Sequence, residues 1–212
     1  MTGSEQRVRV WLVRHGETEW NRQCLWQGHT DLPLSDEGRS QAQNLAALFR
    51  ELPLRAVLSS DLRRARETAE ILARPHGLPV EVTPLLREVH LGEAEGLTTG
   101  EVVARFGEAA VDRWRDPRLL DNGFPGGERK AVAYERAVAA LEGFAGRFET
   151  GDLAVVFHSL LMRVVLYRWF PEITERLIVP NCGFYAVWYD STTRTWLPGE
   201  ELQELCVAPA RV

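Results

Sequence analysis

Val8-Arg9-Val10-Trp11-Leu12-Val13 followed by Arg14-His15-Gly16-Glu17-Thr18 joins two kinds of sequence. The first six residues are rich in β-branched and aromatic side chains, as a buried strand is, and the apolar run stops at a polar loop. The same transition returns twice downstream. Residues 56–58 run into Ser59-Ser60, and residues 153–157 run into His158. Helical periodicity fills the intervals. Ser35 stands as an N-cap before Asp36 and Glu37, and Ala42, Leu45, Ala46, Leu48 and Phe49 give the ensuing helix an apolar side. A second helix is expected from Asp61 to about Arg74, stopped by Pro75 and Gly77, with a third strand at residues 79–83. Residues 85–97 read as loop, 98–114 as irregular helix, 116–127 as a Pro-, Gly- and Asp-rich loop. Long helices follow at about 128–148 and 159–170. Residues 184–189 and 195–197 form a hairpin-like edge around Asp190-Ser191.

Strands alternating with helices predict an α/β fold of three layers, with a mostly parallel sheet covered by helices on both faces. The 212 residues suit a single domain spanning 1–212, in which 92–127 form an inserted helical and loop lobe over the active site. The net charge of −5 argues against a nucleic-acid binder. Of 25 cations only Lys130 is Lys, and Arg suits planar anion contacts better. No run approaches the ~18 apolar residues of a membrane span. The polar residues 1–9 give no signal for secretion, so a cytoplasmic location is expected. Cys24, Cys182 and Cys206 have no metal-ligand spacing and read as reduced, packed thiols.

In such sheets ligands bind beyond the carboxyl ends of the strands. His15, Ser59-Ser60 and His158 all fall there. His15 stands beside Arg14 and before a glycine that permits close backbone approach, and a neutral imidazole with one free nitrogen is a competent nucleophile. Arg63, Arg64 and Arg66 crowd the start of a helix, where cations are disfavoured, so one of them is expected to face a ligand anion. Glu88, Glu93 and Glu95 are all candidates for a general acid and base. His158 opens a helix whose N-terminal N–H groups could hold an anion.

These residues resemble the phosphoglycerate-mutase-like branch of the histidine phosphatase superfamily. Arg14-His15-Gly16-Glu17-Thr18 with Trp20-Asn21 is similar to the family's R-H-G-E-[TS]-x-W-N opening. The stretches at 28–34 and 38–42 continue it. The run at 59–69 resembles S-S-x-L-x-R-A-x-x-T-A and selects Arg64, while Leu86-Arg87-Glu88 with Gly92 and Glu95-Gly96 selects Glu88. Val156-Phe157-His158 with Arg163 resembles the family's last block. The resemblance implies metal-independent phosphomonoester hydrolysis with no cofactor. His15 would become a phosphohistidine and Glu88 would act as general acid and base. Arg14, Asn21, Arg64 and His158 would hold the phosphoryl oxygens, and Gln27, Gly28 and Ser159 would contact the rest of a small-molecule phosphate monoester.

Three departures matter. Ser159-Leu160 stand where the family often has Gly-Gly or Gly-Ala, and Arg129 replaces the Ser of P-G-G-E-S. Around the acid, Glu88-Val89-His90-Leu91-Gly92 lacks the Arg and Tyr of cofactor-dependent mutases. The short chain and Gln27-Gly28 look more like the phosphatase branch, which includes α-ribazole phosphatase and broad-specificity phosphatases. A phosphoglycerate mutase and a non-catalytic phosphate-ligand binder are the alternatives. The substrate-facing loops favour a neutral or cationic leaving group. The seven tryptophans read as core or lobe packing, with Trp26 and Trp114 in the loop regions that should roof the site, whereas His29, His76 and His90 are expected at the surface or behind it. Oligomeric state is open, a homodimer included.

Overall fold

The computed structural model describes residues 7–173, 177–200 and 202, so Cys206 lies outside the described residues. Strands β1 (Arg7–Arg14), β2 (Leu54–Ser60), β3 (Val80–Thr83), β4 (Gly151–Phe157), β5 (Phe184–Asp190) and β6 (Thr195–Pro198) form one sheet in the order β3-β2-β4-β1-β5-β6. The first four in that order are parallel, and β5 and β6 add an antiparallel edge. β1 and β4 lie at the centre. Leu12 and residues 153–157 are fully buried, which explains runs without polar alternation.

The helices are α1 (Glu19–Arg22), α2 (Asp36–Phe49), α3 (Arg63–Ala73), α4 (Thr99–Phe106), α5 (Glu108–Arg115), α6 (Lys130–Ala145) and α7 (Ser159–Trp169). They cover both faces. Val13, Val57 and Val156 point into one apolar cluster with Leu45, Phe49, Ala65 and Leu72 of α2 and α3. Leu12, Val155 and Phe157 point the other way, into a cluster with Leu141, Met162 and Val165 of α6 and α7. The period of two along each strand thus builds the three layers. Among the described residues, no helix is long and apolar enough to cross a membrane.

Several expectations shift in detail. Ser35 caps α2 by accepting the Gly38 N–H, but Leu48 is 71% exposed, outside the buried arc. α3 begins at Arg63 rather than Asp61, because the Asp61 carboxylate is taken by Arg87 at 2.8 and 2.7 Å. α1 was not anticipated; Thr18 and Asn21 close a reciprocal capping box around its four residues. The helix expected at 98–114 is two helices, broken at Gly107 where φ is +86°. α6 starts at Lys130, since the Glu128 carboxylate turns away to accept the His90 N–H and pair with Arg136.

Candidate active site

The carboxyl ends of β1 and β4 are tied together where the His15 N–H donates to Phe157 O at 3.1 Å. The His15 side chain, 4% exposed, is fixed by a second bond: Nδ1 lies 2.7 Å from Gly16 O. A carbonyl only accepts, so Nδ1 carries the hydrogen and Nε2 keeps its lone pair. Gly16 is required by this arrangement. A Cβ there would lie 2.5 Å from Gly38 O, and the Gly16 N–H donates to Thr68 Oγ1 at 3.0 Å. Burial, then the nearby Arg64 and Arg14 cations, hold the His15 pKa well below its ordinary value. The imidazole is therefore neutral at physiological pH.

Arg64 is the one arginine of its cluster turned inward. Arg63 pairs with Glu67 and Arg66 with Glu70, whereas Arg64 is 1% exposed. Its Nη1 donates to Thr30 O at 2.8 Å and its Nη2 to Gly28 O at 2.7 Å. Burial lowers its pKa to about 10, which still leaves a cation at neutral pH. Arg14 donates to Val179 O at 2.7 Å. Asn21 Oδ1 receives Thr18 N–H, Thr18 Oγ1 and Asn181 Nδ2, so its own NH2 remains free to donate. The His158 ring lies 5.1 Å from the His15 ring, and its Nε2 is 2.9 Å from Ser60 Oγ. Burial, then Arg64 and His15, push its pKa well down too, so His158 is neutral; it is fully buried beside His15 and does not itself line the cavity that His15, Arg14 and Arg64 share.

The three candidate carboxylates separate cleanly. Glu93 pairs with Arg105 on the lobe surface. Glu95 accepts the N–H groups of His29 at 2.8 Å and Thr30 at 2.9 Å, holding the loop whose carbonyls grip Arg64. Glu88 alone lines the cavity with His15, Arg14, Arg64 and Asn21. Its carboxylate accepts from Leu160 N at 3.1 Å, Leu161 N at 2.9 Å and Val89 N at 3.0 Å. The first-turn N–H groups of α7 thus serve Glu88, not an external anion as the sequence suggested.

The cavity holds about 310 Å³. Gln27, Gly28 and Ser159 all line it. Trp26 and Trp114 line it with Leu25, Leu91 and Leu160, giving an apolar wall beyond the phosphate cup. Two further arginines, Arg115 of α5 and Arg163 of α7, complete the wall. Arg115 escaped sequence reasoning entirely, and Arg163 entered only as a motif position. Their convergence runs against the neutral or cationic leaving group inferred from composition. Eight buried side-chain atoms lack a hydrogen-bond partner among the described residues, and four of them, Arg14 Nε, Gln27 Oε1, Arg64 Nε and Arg163 Nε, belong to residues that line the cavity, with a fifth, His158 Nδ1, beside His15. Unpaired buried polar atoms are costly, so their concentration here marks a place built for a polar ligand.

His29 and His90 do not reach the cavity. They pack on each other, ring centroids 4.7 Å apart. Lys130 is wholly buried behind Trp114; its ammonium donates to Trp114 O at 3.0 Å and to Asp116 O, capping α5, and lies 5.3 Å from the Trp114 ring centroid. Burial lowers its pKa to about 8.

Comparison with known proteins bears on the family and the fold. The model of the histidine phosphatase superfamily (branch 1) matches residues 10–197. Phosphoglycerate mutase-like protein 4 of Arabidopsis thaliana is 39% identical over 168 residues, 78% of this chain and 72% of that protein. A mycobacterial glucosyl-3-phosphoglycerate phosphatase superposes with a TM-score of 0.76 at 26% identity, covering 91% of this chain and 97% of that one. Bacillus stearothermophilus YhfR superposes with a TM-score of 0.81 at 28% identity, covering 91% and 95%. The chain belongs to the histidine phosphatase superfamily, branch 1.

Proposed function

We propose that the chain hydrolyses small phosphomonoesters through a phosphohistidine on His15. One observation carries this reading: Nδ1 is committed to Gly16 O, and the neutral ring therefore offers Nε2 to an electrophile between Arg14 and Arg64. In the first step Nε2 bonds to phosphorus and the ester P–O bond breaks, with Glu88 giving a proton to the departing oxygen. In the second, Glu88 takes a proton from water as the water oxygen bonds to phosphorus and the P–N bond breaks. Arg14, Arg64, Asn21 and His158 hold the equatorial oxygens, since positioning and charge stabilisation supply most of the catalysis of phosphoryl transfer. The leaving group lies along Trp26, Trp114 and Leu160 and carries a second anionic group toward Arg115 and Arg163.

The same two arginines favour a second reading, transfer to a phosphoglycerate as in a mutase, because such a substrate bears a carboxylate. Glu88-Val89-His90 without the mutase Arg and Tyr favours water as acceptor. Rapid quenching with a labelled phosphate ester tests both. The hydrolase reading expects acid-labile label on wild type, none on His15→Ala, and inorganic phosphate as product. Label that passes to added phosphoglycerate in preference to water supports the mutase, and wild type that never becomes labelled refutes both.

A further inference from the structure

Glu88 sits on an irregular loop, and its backbone is held by one side chain from a distant helix. Arg136 of α6 donates from Nη1 to Leu85 O at 2.8 Å and to Arg87 O at 2.6 Å, and from Nη2 to Glu88 O at 2.9 Å. Its remaining N–H directions meet the Glu128 carboxylate, through Nε at 3.2 Å and through Nη2. All five donors of the guanidinium are used. Glu128 extends the grip: its carboxylate accepts the His90 N–H at 2.9 Å, and its own N–H donates to His90 O at 3.0 Å. Arg136 and Glu128 together fix the path of residues 85–90. His29 adds a second donor to Glu88 O, its Nε2 lying at 2.7 Å.

We infer that Arg136, braced by Glu128, is the positioning residue that aims the Glu88 carboxyl at the leaving oxygen. The inference rests on the proposed role of Glu88 as general acid. Arg136 and Glu128 do not line the cavity, and every Arg136 donor is spent on a protein acceptor, which leaves it none for substrate. The geometry calls for a planar fork. Three carbonyls of one turn of loop converge on one cation, and an ammonium on a flexible stem cannot meet them and a carboxylate together. The other half of the alignment is the pair of α7 N–H groups on the Glu88 carboxylate. With the backbone loosened, the two α7 N–H groups alone no longer fix the carboxylate, its position relative to the phosphate cup drifts, and a misplacement near 1 Å costs about a hundredfold in a proton transfer.

The test compares two esters in single-turnover formation of phosphohistidine. p-Nitrophenolate leaves without a proton, whereas butyl phosphate needs one. The discrimination between the esters within one variant is independent of how much of that variant is folded. Arg136→Met is expected to slow phosphorylation by butyl phosphate about a hundredfold and by p-nitrophenyl phosphate less than about threefold. Arg136→Lys should show the same direction with a smaller loss. Glu88→Gln should show the same discrimination, and Glu88→Gln combined with Arg136→Met should be no worse than Glu88→Gln alone. Arg136 variants that slow both esters equally, or a double variant whose losses multiply, overturn the inference while Glu88 keeps its role. A Glu88→Gln variant that treats the esters alike overturns the role of Glu88 and the inference with it.

Discussion

Replacing Arg64 by Met removes a buried cation of the phosphate cup while filling most of its volume. Two opposing terms decide the stability of Arg64→Met. The drop in pKa from 12.5 to about 10 corresponds to roughly 3 kcal/mol held against the folded chain at neutral pH. Against this stand the two hydrogen bonds to Gly28 O and Thr30 O, each worth about 1.5 kcal/mol or more because the donor is charged. The terms nearly cancel, so stability is expected to change by less than about 1.5 kcal/mol, although truncating an equally buried apolar chain costs about 2–5 kcal/mol. In a chain of this size that is a Tm shift within about 5 °C. Activity behaves differently. Loss of one preorganised charge on the transferring group is expected to lower kcat by about 10²–10³. Thermal unfolding with and without inorganic phosphate, alongside p-nitrophenyl phosphate hydrolysis, measures all three quantities. Phosphate should raise the Tm of wild type and leave that of the variant nearly unchanged. A Tm drop beyond about 10 °C, or activity within tenfold of wild type, would refute the reasoning.

Other outcomes follow from the same geometry. His15 and His158 are buried neutral with lowered pKa values, so the unfolded chain binds more protons just below pH 6.5 and stability falls as pH drops through that range; His15→Gln with His158→Gln should flatten the acid limb of a Tm-against-pH curve. Lys130 has its pKa lowered to about 8, so the folded chain loses its proton before the unfolded one and stability should rise between pH 8 and 10.5. Lys130→Met should lack that rise in denaturant titrations, and an equal rise in both proteins would exclude Lys130 as its source. Gly28 has φ of +51° and a Cβ there would lie 2.1 Å from Glu95 Oε1, so Gly28→Ala should cost about 1–3 kcal/mol and reduce kcat by loosening the carbonyl that holds Arg64; a variant with wild-type Tm and kcat would contradict this.

How much could be read in advance depended on whether the deciding forces were local. β1, β2 and β4 announce themselves because strands covered on both faces carry near-continuous apolar runs, at 10–13, 56–58 and 153–157, and α2 does so because Ser35 is a local cap. α1 was missed although Thr18 and Asn21 have the spacing of a capping box, since four residues carry no periodicity. The true start of α3 depends on Asp61 meeting Arg87, a contact 26 residues away. At the site, residue types alone left Glu88, Glu93 and Glu95 level; only the family resemblance chose among them, and in the structure Glu88 is the one that lines the cavity while Glu95 and Glu93 have partners elsewhere. Arg115 and Arg163 lie on separate helices and meet only through the docking of the lobe on α7, so no window of sequence displays their pairing.

The burial of Lys130 has a practical consequence. It is the chain's sole lysine, and the native fold hides its ε-amine completely. Amine-directed crosslinkers, dyes and surface-coupling chemistries therefore find no lysine target on the intact molecule, whereas the thiol of Cys24, exposed rather than packed as expected from sequence, is open to thiol-directed reagents. Acylation of that one amine becomes a clock for opening of the lobe, read by mass spectrometry on a single peptide.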